Sequence, residues 1–97
     1  MEYRHIILDL REINTIAELH GLLQDAFHFP AYYGRNFDAL WDCLGDLDDE
    51  PMQIDLVGWL DACRRVGWRM NIFLRLLFDF RMMREGSVKI NFCREAA

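Results

Sequence analysis

The chain has 97 residues, 53% of them hydrophobic and 13% aromatic, with 16 acidic against 11 basic side chains. Such a composition supports a single packed domain over residues 1–97 and excludes a disordered polypeptide. The net charge of −5 repels phosphate backbones, so nucleic acid is not an expected partner.

The acidity is local. Asn36 to Glu50 holds six carboxylates and no lysine or arginine; this window carries −6, and the other 82 residues together come to +1. No charged segment leads into a long apolar stretch, so neither a signal peptide nor a membrane span is expected. Cys43, Cys63 and Cys93 cannot all pair within one chain, and none lies in a CxxC or zinc-like spacing. They are expected as small core residues in a reducing, cytoplasmic setting, and no cofactor or metal is implied.

In chain order, Tyr3 to Leu10 is nearly continuous in hydrophobicity through Ile6, Ile7 and Leu8 and reads as a strand covered on both faces. Asn14 or Thr15 can cap a helix, with Glu18 completing a capping box. Ile16, Leu19, Leu22, Leu23, Ala26 and Phe27 then follow helical spacing. Phe29 to Arg35 contains Pro30 and Gly34 and reads as a loop. A second helix starts after Asn36 as N-cap, with Asp38 suited to the helix dipole. Beyond Pro51, Gln53 to Val57 forms a strand broken by Gly58, and Trp59 to Val66 a short helix stopped by Gly67. Arg69 to Arg84 is a longer helix with Phe73, Leu76, Leu77, Phe80 and Met83 on one stripe and Gly86 as its C′ residue. Ser87 to Cys93 is a last strand, with Val88, Ile90 and Phe92 inward. Strands separated by helices predict an α/β fold: a small three-stranded parallel sheet with right-handed crossovers, packed with about four helices.

The second helix carries the most information. Phe37, Leu40, Leu44 and Leu47 form one stripe, with Trp41 at its edge. Asp38, Asp42 and Asp46 fall at i+4 steps on the other side, and Gly45 leaves a gap in side-chain cover between the acids and Trp41. Like charges so spaced destabilise a helix by a few tenths of a kcal/mol per pair, roughly. Nothing three or four residues away on this helix neutralises them, which points to a cationic partner. Tyr32 and Tyr33, adjacent in a Pro/Gly-bounded loop, cannot both turn inward, so one is expected at the surface. Tyrosine and tryptophan beside charges have the composition of an interface centre.

The run Phe29 to Leu44, FPAYYGRNFDALWDCL, resembles the barstar family of intracellular inhibitors of secreted, barnase-like ribonucleases. The shared elements are Pro30, Tyr32-Tyr33-Gly34, Asn36 and Asp38 to Leu44, and the order of strands and helices is also similar. The resemblance implies a barstar-like fold and a stoichiometric inhibitor. In that reading Asp42 stands in for an RNA phosphate and meets the enzyme's arginines and histidine. Asp38 contacts the basic rim and Tyr32 packs against the catalytic histidine, while Tyr33, Gly34, Asn36 and Trp41 frame the contact. Gly45 and Asp46 complete the expected partner-binding set.

The chain also departs from the family. In the family the last long helix adds an acidic residue to the interface; the gapless match puts Arg81 at that position, and Asp79 or Glu85 takes its place only in a different register, which the sequence leaves open. The later helices carry Arg64, Arg65, Arg69, Arg75, Arg81 and Arg84, more positive charge than an inhibitor of a cationic enzyme needs. The expected partner is therefore a basic ribonuclease or a related toxin nuclease. An immunity protein against a different nuclease is the second reading.

An enzyme is not expected. No phosphate loop, serine elbow, HExxH or EF-hand pattern occurs. Asp46, Asp48, Asp49 and Glu50 read as a solvated acidic turn, the dispersed cysteines as packing groups, and His5, His20 and His28 as satisfied structural residues. The later arginines, spaced among Trp68, Phe73, Leu76 and Phe80, read as the solvent side of an amphipathic helix. A free monomer is expected.

Overall fold

The computed structural model describes residues 3–94. Three strands, β1 (Arg4–Asp9), β2 (Met52–Val57) and β3 (Val88–Cys93), form one parallel sheet in the order β1-β2-β3. Four helices connect them: α1 (Ile16–Phe27) and α2 (Phe37–Gly45) between β1 and β2, α3 (Trp59–Val66) and α4 (Arg69–Met83) between β2 and β3. The expected α/β architecture is observed. No helix of the described residues is long and apolar enough to cross a membrane.

Local chemistry explains the boundaries. Thr15 is the N-cap of α1: its hydroxyl accepts from the Glu18 amide at 3.1 Å, while the Glu18 carboxylate accepts from the Asn14 amide at 3.2 Å. Asn36 caps α2, its Oδ1 accepting from the Ala39 amide at 2.7 Å. Gly58 ends β2 with φ of 75°, and a Cβ there would stand 2.7 Å from Arg11 Cγ, so a side chain would strain the backbone and displace Arg11.

Alternation along the strands sets the core. Ile6 and Leu8 of β1, Ile54 and Leu56 of β2 and Val88 of β3 are buried against Leu19, Leu23 and Phe27 of α1, Leu40 and Leu44 of α2, and Phe73, Leu77 and Phe80 of α4. The other sheet face is different, and here the sequence expectations need correction. β1 is not covered on both faces: Ile7 is 42% exposed. Phe92 shares the helix-covered face with Val88 and pairs with buried Leu56, yet it is 52% exposed, edge-on to Trp59 with ring centroids 6.0 Å apart. A continuous apolar run implied two-sided cover, yet this three-stranded sheet buries mainly the face its helices reach. Uncovered parallel sheet is uncommon.

That open face is polar by design of its register. His5, Gln53 and Lys89 align across the strands, as do Ile7, Asp55 and Asn91. Asp55 is itself buried, and its two oxygens accept from His5 Nε2, from Gln53 at 3.2 Å and from Asn91 at 3.1 Å. Burial works to raise its pKa; those hydrogen bonds outweigh it and hold the carboxyl below the usual value.

Smaller differences follow from tertiary packing. Strand β2 begins at Met52, one residue before Gln53. Helix α4 ends with Arg84 as C-cap, so the left-handed turn starts at Glu85 (φ 49°) and continues through Gly86 (φ 85°). On the predicted α4 stripe Met83 lies at the surface rather than in the core. The three cysteines are half-buried, not fully internal. Burial, aided for Cys43 by Asp46 and Asp42, pushes the Cys43 and Cys63 thiols up in pKa and keeps them protonated.

Candidate functional site

The loop from His28 to Arg35 and helix α2 form one continuous ridge, and aromatic packing fixes it. Phe27 and Phe29 stack with centroids 5.3 Å apart, Phe29 meets Tyr33 at 5.1 Å, and His20 lies 5.7 Å from Tyr33 and 5.2 Å from Phe37. These rings run from α1 through the loop to the first residue of α2. Tyr33 is 5% exposed and its hydroxyl is hydrogen-bonded to His20 Nδ1 in the interior. Desolvation pushes the Tyr33 phenol to about 12 and lowers the His20 pKa. Both are therefore neutral at physiological pH.

Tyr32, its neighbour, is 85% exposed. With Tyr33 anchored below, Tyr32 is lifted from the surface. Gln24 steadies the loop from both sides, its Nε2 donating to Pro30 O and its Oε1 accepting from Arg35 Nη2, each at 3.0 Å. Gly34 is tightly placed, since a Cβ would meet Ala39 Cβ at 3.3 Å and Asn36 Nδ2 at 3.4 Å. Asn36 Nδ2 also donates to Gly34 O at 3.3 Å, so the N-cap side chain welds loop to helix.

Leu40 and Leu44 are fully buried and orient α2. Asp38 and Asp42 consequently face solvent, and Trp41 is left 36% exposed beside them. Asp46 is also exposed, but it is the helix C-cap rather than a helical residue. Among the described residues, Asp38, Asp42 and Asp46 make no ion pair and no side-chain hydrogen bond. Other carboxylates do: Asp9 pairs with Arg11, Asp49 with Arg84 and Asp61 with Arg64. Gly45 is open, with no atom within 4 Å of a Cβ built on it.

Asp42 stands between two grooves. One, of about 540 Å³, lies between the loop and α2 and is lined by Tyr32, Gly34, Cys43 and Asp46 with Asp42. The other, of about 520 Å³, lies between α2 and α4, with Asp38, Trp41 and Asp42 on one wall and Ile72, Arg75 and Asp79 on the other. A larger hollow of about 700 Å³ at the carboxyl ends of the strands, by Leu60, Arg64 and Phe92, includes none of the acidic helix. For recognition by a protein partner, charge and exposed rings matter more than cavity size. Among the described residues no group of histidine, cysteine and carboxylate side chains is assembled to hold a metal.

A sequence model of the family described as Barstar (barnase inhibitor) matches residues 3–82. The chain belongs to the barstar family. A Bacillus subtilis (strain 168) protein named "Putative ribonuclease inhibitor YrdF" is 51% identical to it over 53 residues, which are 55% of this chain and 58% of that relative. The match thus spans little more than half the length of either protein.

The structure brings all the residues marked out in the sequence onto or directly beneath this ridge. Tyr32, Asp38, Trp41, Asp42, Gly45 and Asp46 are at the surface, Gly34 and Asn36 form the joint, and Tyr33 supports it from below. Asp79 shares the α2–α4 groove, whereas Glu85 lies beyond the end of α4. Two arginines expected only as the solvent side of an amphipathic helix take other places, and for Arg84, its side chain 11% exposed, that expectation is corrected. Arg75 lies in that groove among the acids, and Arg84 turns away from solvent to the end of α2. Their positions depend on how α4 crosses α2, which no local pattern encodes.

Proposed function

We propose that this protein is an intracellular inhibitor of a barnase-like ribonuclease, protecting the cell that makes it by occluding the enzyme's active site. The observation that carries this reading is Asp42: an exposed carboxylate without a partner among the described residues, on a helix between two grooves, flanked by Asp38, Asp46 and the exposed ring of Tyr32.

A ribonuclease cleft is lined with cations that hold phosphate. A carboxylate offers two acceptor oxygens to a guanidinium in the same forked manner, and such charge-assisted bonds are strong and direction-selective. Asp42 acts as the phosphate substitute, and Asp38 and Asp46 extend the negative field to the rim. Tyr32 brings a large ring of few rotamers against the catalytic imidazole. Because Leu40, Leu44 and Tyr33 hold the ridge before encounter, little conformational freedom is lost on docking. The protein blocks the nuclease by occupancy and catalyses nothing itself.

Arg75 favours one variation on this reading: an immunity protein whose target is a nuclease of another type. A guanidinium among Asp38, Asp42 and Asp79 suits a partner whose rim carries a carboxylate among its cations.

The test is titration of barnase, and separately of unrelated toxin nucleases, with wild-type protein and Asp42→Ala. Stoichiometric inhibition of barnase by the wild type and its loss in the variant are expected. Equal inhibition by both would remove Asp42 from the role, and inhibition of an unrelated nuclease alone would establish the second reading.

A further inference from the structure

We infer that Arg84 is a positioning residue for the acidic ridge, holding the carboxyl end of α2 so that Asp42 and Asp46 meet the partner in fixed geometry. This inference rests on the inhibitor reading and adds a residue outside the acidic window to it.

The problem Arg84 solves is visible in α2. A helix leaves carbonyls without partners at its carboxyl end, where the dipole is negative and a cation is favourable. Helix α2 ends in αR geometry at Asp46 (φ −85°), without a left-handed cap, and has no basic residue in its last turn. Its own acids make that end more negative still.

The countercharge comes from α4. Arg84 Nη2 donates to Leu44 O at 3.1 Å and Leu47 O at 2.9 Å, while Nη1 donates to Asp48 O at 3.1 Å and to Asp49 Oδ1 at 3.3 Å. Its side chain is only 11% exposed and the guanidinium lies 4.9 Å from the centre of the Phe80 ring. The residue is held in turn, its amide donating to Phe80 O and its carbonyl accepting from Ser87 Oγ at 2.9 Å.

Three of the four acceptors are main-chain carbonyls, so the contact fixes the path of the backbone rather than one rotamer. It also neutralises the helix end without touching Asp42 or Asp46, which stay available to a partner. A planar fork can serve four acceptors in this arrangement; an ammonium cannot.

The test uses the full chain with Arg84→Lys and Arg84→Met, and barnase as the probe. In the free protein, amide exchange at Asp46 and Leu47 is expected to speed up in both variants relative to β2 amides. Barnase is expected to dissociate about tenfold faster from each variant, with lysine failing to restore the wild-type rate. Combined with Asp42→Ala, the effect of Arg84→Met should shrink to under about twofold, since Arg84 acts through the acid it aims. Unchanged exchange, unchanged dissociation, rescue by lysine, or an equal loss with and without Asp42 would each overturn the proposal. Should the methionine variant not fold, the lysine variant carries the exchange and dissociation measurements and the cycle. If Asp42→Ala inhibits as well as wild type, the inhibitor reading fails, while the exchange measurement still judges the clamp.

Discussion

Asp42 and Asp55 are the same side chain put to opposite uses. On the open sheet face, Asp55 is buried and accepts from His5, Gln53 and Asn91, so its charge is consumed within the protein. On α2, Asp42 is exposed, makes no ion pair among the described residues and stands between two grooves. The tyrosine pair repeats the contrast over one peptide bond, Tyr33 bonded inside and Tyr32 standing out. A polar group whose partners are all internal contributes to folding. One left without partners on a rigid surface is available to another molecule.

The contrast breaks first at Asp42. Asp42→Ala is expected to weaken barnase binding by about 2–5 kcal/mol while leaving the urea midpoint unchanged, a range drawn in part from barnase and barstar themselves. Calorimetric titration and equilibrium unfolding check the two halves.

Asp55→Ala should do the reverse, lowering unfolding free energy by about 1–3 kcal/mol and sparing binding by the folded protein. The pH dependence has a definite sign. With its folded pKa below the ordinary aspartate value of 3.8, Asp55 contributes stability that is present above that pH and lost as pH falls through the lower folded value. Unfolding curves below about pH 4 should therefore be flatter for the variant than for wild type.

Within the tyrosine pair, Tyr32→Ala is expected to weaken binding by more than about 1 kcal/mol with stability unchanged. Tyr33→Phe should reduce stability by about 1 kcal/mol through loss of the bond to His20, with a smaller effect on binding. Equal behaviour of the two variants in both assays would erase the distinction between ring and support.

The smallest effect belongs to His20. Desolvation, with Arg35 nearby, lowers its pKa below 6.5 in the folded state. The unfolded chain therefore takes up the proton first, and stability present above pH 6.5 declines as pH falls below it. Unfolding free energies between pH 7 and 5 should decrease in wild type and less so in His20→Gln.

Much of this was legible in the chain itself. Helical spacing and caps marked out the elements to within a residue or two, because Thr15, Asn36, Gly58 and Gly67 act on neighbours a few positions away. The i+4 row of aspartates without local countercharge was equally a matter of near neighbours, and the ridge carries it on its outer side. Tertiary structure decided what depends on distant partners. Helix placement left Ile7 and Phe92 exposed despite their hydrophobicity. Parallel crossovers brought His5 and Asn91 to Asp55, and Arg84 to α2 some forty residues earlier. Periodicity records which way a side chain points from its own element; only the packing of elements determines what it meets there.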